Sequence, residues 1–554
     1  MLTLLLVISC VLKAQNPPAQ LKWGNTDTRY PEFDVPTNLS VTKWSTRAWK
    51  GERVNAQAVL STNRELKNVT VKVSDLRNGS HIIPSSAITT NFVQYIMTDE
   101  LNKDGKGACG HRPNKADWDS SMVADILDIE VKLDLLARAA QPVWVNVWVP
   151  QEAVAGKYKG TLTMLADGIA PMNLQMEITV LNHTLPQPKD WAFHLDLWQN
   201  PYAVARFYNV PLWSKEHFDA MRPLFKQLAN AGQKVITASI MHKPWAGQTQ
   251  DHFDSMVMKI KKIDGSWTYD YTVFDKWVEF MISLGIDKQI NCFTLVPWAL
   301  SFDYIDQATN RVLYAEAKPG DEVYTDYWLN FLKDFSKHLR QKGWFDITTI
   351  SMDERGLEMM KKAFELIFKA DPEFKVSGQG HYFAEIEPLM HDLCLAYGQQ
   401  FPEDVLAARR KAGKISTVYT CCSEPFPNVF TFSTPAEATW TIWHAVAGNY
   451  DGYLRWAYNS WTIDPLHDSR FRTWAAGDTY IVYPGRSSIR FERLVEGVQD
   501  AEKIRILREE FISKGQKNKL DKLNKAISRF MPDNLTLTNA AEMVNEGRRV
   551  LNSF

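Results

Sequence analysis

Residues 348–355 read TTISMDER, a short β-forming run that ends in two adjacent acids, Asp353 and Glu354. Apolar side chains then recur at the spacing of one helix face, at Leu357, Met360, Phe364 and Phe368. A strand, a turn and an amphipathic helix in this order indicate one βα unit of a parallel sheet.

The same alternation extends over the chain on both sides of this unit, from about residue 190 onward. Candidate strands, mostly separated by helical stretches, lie at 192–198, 235–241, 289–296, 348–353, 375–379, 393–397, 415–422 and 453–459. Eight strands followed by helices is the number that closes a (β/α)8 TIM barrel. An open doubly wound sheet is the alternative, although no GxGxxG or phosphate-binding loop motif supports a nucleotide site.

The residues before the barrel have a period of two instead. Apolar and polar residues alternate in several runs, including one around Val69, Val71 and Val73 and another from Ile129 to Leu135. The stretch 143–149 alternates Val with Trp or Asn, which predicts a strand covered on both faces. We therefore predict a multidomain β plus α/β chain, with a signal at 1–15, a β-sandwich at 20–183, a (β/α)8 TIM barrel at 190–508 and a helical C-terminal extension at 509–554.

The N-terminus has the features of an export signal. Residues 2–9 form an apolar run that is too short to cross a bilayer. The segment 7–10, Val-Ile-Ser-Cys, resembles a bacterial lipoprotein cleavage box, and cleavage after Ala14 is the competing interpretation. The predicted location is therefore the periplasm, the outer membrane through a lipid anchor on Cys10, or the medium.

Charge and cysteine content exclude several classes of function. The formal net charge of −1 and the lack of a basic stripe give no reason to expect nucleic acid as a partner. Beyond Cys10, the chain has five scattered cysteines without zinc-site spacing, so we expect buried free thiols and neither metal nor cofactor. A disulfide between the adjacent Cys421 and Cys422 is the alternative.

The carboxyl ends of the strands are where such barrels place their active sites. The residues found there combine carboxylates, imidazoles, amides and indoles, which suit the hydroxyls and apolar faces of sugar rings. Beside Asp353 and Glu354, the candidate substrate-binding residues are His194, Asp196, Trp198, Trp298, Gln379, His381, Tyr382, Tyr419, Arg455, Trp456, Tyr458 and Trp461. Arg455 is predicted to brace a carboxylate, because a buried guanidinium needs an anionic or acceptor partner.

The Asp353–Glu354 pair is the strongest catalytic candidate. Glycosidic cleavage needs one acid to protonate the leaving oxygen and another group to stabilise positive charge at the anomeric carbon. Close carboxyls suit both tasks, because their mutual repulsion keeps one protonated while the other is ionised. Neighbouring residues on a regular strand face opposite ways, so both acids reach one sugar only where the strand ends.

Several longer motifs give the chain a family resemblance. They are Trp49–Gln57 (WKGERVNAQ), Trp144–Pro150 (WVNVWVP), Gly156–Gly160 (GKYKG), Gly477–Gly485 (GDTYIVYPG) and Ser488–Leu494 (SIRFERL). Because these motifs occur in this order and spacing, the chain resembles family 123 of the glycoside hydrolases, the retaining β-N-acetylgalactosaminidases. The resemblance extends over nearly the whole mature length. The resemblance implies a β-sandwich followed by a (β/α)8 barrel, in agreement with the periodicities.

The resemblance also implies a substrate-assisted mechanism, in which the 2-acetamido oxygen of a terminal N-acetylhexosamine attacks the anomeric carbon. Asp353 would orient the acetamido group and Glu354 would act as general acid and base. A tyrosine would bind the acetamido carbonyl, and the candidates are Tyr382, Tyr419 and Tyr458. The alternatives are specificity for N-acetylglucosamine, a glycosidase for non-acetamido sugars with a carboxylate nucleophile such as Asp196, and a non-catalytic glycan-binding protein.

Overall fold

The computed structural model describes residues 19–100, 109, 119–472 and 474–554. Within these ranges, a β-rich N-terminal domain is followed by a parallel eight-stranded barrel with surrounding helices, which confirms the predicted fold class. The predicted signal at residues 1–15 lies outside them. In the part of the chain that is described, no helix combines the length and apolar content needed to cross a membrane.

The N-terminal domain is a sandwich of two sheets. Its strands are β1 (Ala19–Trp23), β2 (Lys43–Lys50), β3 (Arg53–Thr62), β4 (Leu66–Val73), β5 (Leu76–Asn78), β6 (His81–Ile83), β7 (Ile88–Thr98), β8 (Ser121–Leu127), β9 (Lys132–Leu135), β10 (Ala139–Trp148), β11 (Gly156–Leu165) and β12 (Met172–Thr184). One sheet contains β1, β3, β10, β7 and β8, and the other contains β2, β12, β11, β4 and β9 with the short β5 and β6. Their facing apolar side chains form a single core.

Strand β10 is covered on both faces, as its composition predicted. Val143, Val145 and Val147 are fully buried in the core between the sheets. On the opposite face, Trp144 packs against Leu127 and Ile489, so it is buried as well. The burial of this second face shows that the sandwich is packed against the rest of the chain.

The prediction for the stretch 129–135 was wrong at its beginning. Ile129 and Val131 are 58% and 80% exposed. Strand β9 starts only at Lys132, so both side chains belong to the connection before it and contact no second sheet. Leu135, within the strand, is buried as expected.

The chain beyond the sandwich contains the remaining strands and all of the α-helices in the described ranges. The strands are β13 (His194–Leu197), β14 (Val235–Ser239), β15 (Met258–Lys261), β16 (Trp267–Asp270), β17 (Gln289–Phe293), β18 (Ser301–Asp306), β19 (Arg311–Glu316), β20 (Thr348–Met352), β21 (Lys375–Gly380), β22 (Met390–Ala396), β23 (Ile415–Tyr419), β24 (Gly452–Arg455) and β25 (Ser487–Ser488). The helices are α1 (Pro201–Tyr208), α2 (Lys215–Ala229), α3 (Thr272–Ser283), α4 (Glu322–Lys342), α5 (Leu357–Ala370), α6 (Glu403–Lys411), α7 (Pro435–Ala447), α8 (Ile489–Ser513), α9 (Lys517–Ile527) and α10 (Ala540–Leu551).

The barrel strands follow one another in the order β13-β24-β23-β22-β21-β20-β17-β14, and each neighbouring pair is parallel. An isolated bridge between Leu195 and Gln233 brings β13 next to β14, so the barrel is nearly closed. The open doubly wound alternative is therefore excluded. A separate four-stranded sheet, β16-β15-β18-β19, extends from the connections after β14 and β17.

Helix α8 connects the parts of the molecule. Its first four turns are buried on almost every side, including charged residues. Arg490 pairs with Asp125 of the sandwich at 2.8 Å, and Lys503 pairs with Glu52 at 3.0 Å. Helices α9 and α10 pack beside α8 and α7 through a further apolar cluster, so the C-terminal segment covers the outside of the barrel.

Candidate active site

Asp353 and Glu354 lie in the turn between β20, which ends at Met352, and α5, which begins at Leu357. The backbone leaves the strand geometry at this point, so both adjacent side chains reach one cavity. Its volume is about 330 Å³, which is within the range of small-ligand sites. The other lining residues are Cys109, Trp198, Trp245, Gln248, Trp298, Gln379, Tyr419, Cys421, Cys422, Ser423, Leu454, Trp456 and Trp474.

The carboxyl group of Asp353 is desolvated and sits beside another acid. Burial, followed by repulsion from Glu354, raises the pKa of Asp353 to about 7. The indole Nε1–H of Trp298 donates to Oδ2 of Asp353 at 3.1 Å and opposes this rise in pKa. The Arg355 guanidinium lies 4.4 Å from the centre of the Trp298 ring and fixes the plane of the indole. Asp353 is therefore an acid that changes its protonation state near neutral pH.

Glu354 is held by a tyrosine and by a glycine. The Tyr419 hydroxyl donates to Oε1 of Glu354 at 2.5 Å, and burial together with the Glu354 carboxylate raises the pKa of Tyr419 far above its usual value. Gly380, at the end of β21, has φ +126°, and a Cβ there would lie 3.4 Å from Cα of Glu354. Only glycine adopts this backbone conformation without strain, so Gly380 permits the backbone turn at the end of β21 beside Glu354.

Aromatic rings form much of the cavity wall. The ring centres of Trp198 and Trp245 are 5.0 Å apart, and both pack against Phe293 of β17. Trp456 donates its Nε1–H to Asp478 at 3.3 Å, which fixes its ring at another side of the cavity. Flat apolar surfaces of this kind bind the C–H faces of sugar rings.

Gln379 supplies an unpaired acceptor in the cavity. It is 6% exposed, and its Nε2 donates weakly to Ser351 at 3.4 Å. Its Oε1 has no hydrogen-bond partner among the described residues. Because a buried carbonyl oxygen without a donor is costly, this atom is suited to accept from a bound ligand.

Two predicted residues of strand β13 lie below the cavity. The strand begins at His194, which places this residue at the amino end of the barrel, 3.7 Å from Asp392. Burial lowers the pKa of His194 to about 3, so it is neutral. Asp196 points into the barrel core, where Asn291 donates to it at 3.4 Å, and burial and the Asp392 carboxylate raise its pKa well above the usual range. A buried acid of this kind is poorly placed to act as a nucleophile.

Other predicted residues lie near the rim but do not line the cavity. His381 and Tyr382 turn towards Gln399, which contacts the imidazole and accepts from the Tyr382 backbone N–H. Tyr458 and Trp461 are fully buried. Their polar atoms donate to the backbone carbonyls of Leu224 and Val482.

Arg455 braces a carboxylate, but one outside the cavity. Its Nη2 donates to Oδ1 of Asp478 at 2.6 Å and its Nη1 donates to Asn428 at 2.7 Å. Asp478 also accepts from Trp456, so Arg455 supports the cavity wall through this aspartate. The carboxylate that Arg455 contacts is thus Asp478, and neither Asp353 nor Glu354.

The expectation that the five cysteines beyond Cys10 are all free thiols was wrong. Cys109 and Cys422 form a disulfide, and Cys421 is free, so the alternative disulfide between Cys421 and Cys422 does not form. Sequence spacing could not predict the Cys109–Cys422 bond, because 313 positions separate the two cysteines.

The sulfurs of Cys109, Cys421 and Cys422 are the sole group of potential metal-ligand atoms found within the described ranges.

Several lining residues were not predicted. Trp245 and Gln248 follow β14, and Trp474 lies in the long connection after β24. Trp245 lies six residues past Ser239, the last residue of β14. The expectation that site residues lie at strand ends includes Trp245 only if the connection after the strand is counted as well. Trp474 lies too far from any strand for that rule to reach it.

A barrel that holds two adjacent carboxyl groups in a tryptophan-lined cavity, at the carboxyl ends of its strands, defines a carbohydrate-processing enzyme. The profile of the glycoside hydrolase 123 catalytic domain matches residues 198–507, and that of the glycoside hydrolase 123 N-terminal domain matches residues 23–166. The chain belongs to family 123 of the glycoside hydrolases, and it is therefore a glycoside hydrolase.

One solved structure agrees with this assignment over nearly its full length. A family 123 glycoside hydrolase from Clostridium perfringens, whose structure addresses glycolipid glycan hydrolysis, has 26% identity and a TM-score of 0.87, covering 97% of this chain and 98% of that one. A Bacteroides ovatus GH5 xyloglucanase has 9% identity and a TM-score of 0.32, with 86% and 100% covered. A family 39 glycoside hydrolase from Bacteroides cellulosilyticus WH2 has 9% identity and a TM-score of 0.35, with 82% and 81% covered. The TM-scores of these last two structures are too low to support the assignment. No curated protein matches the chain significantly.

Proposed function

We propose that this enzyme is an exo-acting, retaining β-N-acetylgalactosaminidase that uses substrate-assisted catalysis. The observation that carries the proposal is the arrangement of acids: among the described residues that line the cavity, Asp353 and Glu354 are the sole carboxylates, and they are adjacent. A retaining enzyme with its own nucleophile needs a second carboxylate on the opposite face of the sugar, about 5.5 Å from the acid. Here the 2-acetamido oxygen of the substrate takes that role.

The two acids have different tasks in this mechanism. Asp353 accepts a hydrogen bond from the acetamido N–H and stabilises the positive charge that develops as the acetamido oxygen attacks the anomeric carbon. Glu354 protonates the leaving oxygen and then removes a proton from the incoming water. Among the three tyrosines that are candidates to bind the acetamido carbonyl, Tyr419 is the best supported. It alone of the three lines the cavity and contacts Glu354.

The location of the shared proton changes when substrate binds. Without substrate, the raised pKa of Asp353 and the Tyr419 donor on Glu354 favour a proton on Asp353. An acetamido N–H bound to Asp353 stabilises its ionised form, and repulsion between the two carboxylates then favours protonation of Glu354. Binding of the acetamido group thus places the proton on the residue that must donate it.

Two further parts of the proposal concern substrate and location. The similarity to the Clostridium perfringens enzyme supports glycolipid glycans as substrates, released one terminal N-acetylhexosamine at a time. The Cys109–Cys422 disulfide supports export, since such bonds persist in oxidising compartments. Both the lipid-anchored and the freely exported forms agree with it.

The test compares aryl β-N-acetylgalactosaminide with the matching N-acetylglucosaminide and galactoside. We expect hydrolysis of the first with a β-configured first product by NMR, and competitive inhibition by the galacto-configured thiazoline. Glu354→Gln should lower kcat by about 100-fold or more on substrates with poor leaving groups. Equal turnover of the galactoside, or wild-type rates in Glu354→Gln, would exclude the mechanism.

A further inference from the structure

The disulfide joins the two domains at the mouth of the cavity. Cys422 lies three residues beyond Tyr419, in the connection after β23, and Cys109 comes from the connection between β7 and β8 of the sandwich. Their Cα atoms are 4.9 Å apart. Both residues line the cavity together with Glu354 and Tyr419. The bond is therefore part of the surface that a ligand in this cavity contacts.

The connection that carries Cys422 is also fixed by hydrogen bonds that do not involve the disulfide. The backbone N–H of Cys421 donates to Oε2 of Glu424 at 2.7 Å, and the Asn428 amide donates to the Cys421 carbonyl at 2.7 Å. These bonds hold the segment after β23 in place at the cavity wall, and the disulfide joins the Cys109 sulfur to that segment.

We propose that the Cys109–Cys422 disulfide is a substrate-binding wall of the catalytic cavity, supplied jointly by the sandwich and the barrel, so that affinity for the sugar requires the oxidised bond. The inference rests on the proposed function of the cavity. Polarisable sulfur packs well against the apolar face of a ring, as methionine and cysteine sulfurs do in protein cores. Reduction breaks the covalent link between the two sulfurs in this wall, while Asp353, Glu354 and Tyr419 keep their own contacts.

Cys421 does not exchange readily with this bond, although its sulfur lies within 4.8 Å of the other two. Burial, followed by the nearby Glu424, raises the pKa of the Cys421 thiol to about 12, so it is protonated at neutral pH. Because the thiolate is the attacking species, exchange to a Cys421–Cys422 bond is slow. The oxidised wall is expected to persist in the folded enzyme.

The experiment compares oxidised and reduced full-length enzyme. A water-soluble trialkylphosphine reduces the bond: disulfide, phosphine and one water give two thiols and the phosphine oxide. Thiol counting after denaturation should show two additional thiols, and near-ultraviolet circular dichroism checks that the enzyme stays folded. We expect KM for the aryl N-acetylgalactosaminide to rise about tenfold, corresponding to the loss of one good contact, with kcat changed by less than about twofold.

Two variants control the treatment. Cys109→Ser should show the raised KM from the start and no response to phosphine. Cys292→Ala changes a buried thiol of β17 outside the cavity, keeps the disulfide and should remain sensitive to phosphine. An unchanged KM after verified reduction refutes the inference alone. Absence of both hydrolysis and thiazoline binding in the oxidised enzyme refutes the proposed function, and the inference with it.

Discussion

Trp298→Phe removes the indole N–H that donates to Asp353 but keeps an aromatic ring beneath the Arg355 guanidinium. This hydrogen bond favours the ionised carboxylate, so its loss raises the pKa of Asp353. A hydrogen bond to a charged group contributes about 1.5–3 kcal/mol when buried. Trp298 is 40% exposed, so solvent screening reduces the contribution to about 1.4 kcal/mol, which is about one pKa unit.

The assay is the pH dependence of kcat/KM on an aryl β-N-acetylgalactosaminide between about pH 5 and pH 9. The active pair holds one proton, and its loss at high pH produces the basic limb, with an apparent pKa near the value of about 7 for Asp353. A higher pKa keeps the proton on the pair to higher pH, so Trp298→Phe should move the basic limb to about pH 8. The maximal kcat/KM should fall by about tenfold, because Asp353 loses a positioning contact.

Trp198→Phe is the matched control, because Trp198 lines the same cavity without a hydrogen bond to Asp353. It should weaken substrate binding and leave the basic limb in place. A basic limb that stays at its wild-type position or moves to lower pH in Trp298→Phe refutes the assigned origin of the pKa, as does an equal shift in Trp198→Phe.

Three further predictions concern the neighbours of the pair and the barrel core. Tyr419→Phe removes the donor to Glu354, so kcat should fall by about 10- to 100-fold, as measured with the same substrate. Gly380→Ala should lower Tm and kcat, because φ +126° is strained for alanine and relief of that strain would shift the backbone beside Glu354, whereas Gly398→Ala (φ +85°), with nothing within 4 Å, should lower Tm alone. Burial raises the pKa of Asp392 to about 6, so its native form binds more protons than the unfolded form between about pH 4 and pH 6 and stability falls with rising pH there. Asp392→Asn should reduce this pH-dependent loss of stability by about 3 kcal/mol. If the Tm of the variant falls with pH as steeply as that of the wild type, the loss of stability does not come from Asp392.

The barrel was predictable because its signals are local. Each βα unit is specified by a short β-forming run and an amphipathic helix, and the eight candidate runs coincide with the eight strands found. The exposure of Ile129 and Val131 shows the limit of such signals. An alternating pattern indicates which residues share a face, but not where the strand begins or whether another sheet covers that face.

The residues that line the cavity were predictable where they lie just past a strand end, as do Trp198, Asp353 and Glu354. The rule failed for His194 and Asp196, because height along a barrel strand depends on register with the neighbouring strands. Sequence periodicity does not report that register. Cys109 and Trp474 reach the cavity from distant connections, so only tertiary structure reveals them.

The two domains act as one structural unit, and the buried charges of α8 explain why. Asp125 of the sandwich is fully buried, and its pKa is lowered because Arg490 and Arg29 outweigh the desolvation. Removing Arg490, the partner on the barrel side, would leave the buried Asp125 carboxylate with Arg29 as its remaining cationic partner, which is destabilising. An isolated sandwich would expose Asp125 together with the apolar face around Trp144. The sandwich is therefore a fixed structural support of the barrel, and through the disulfide it also supplies Cys109 to the cavity.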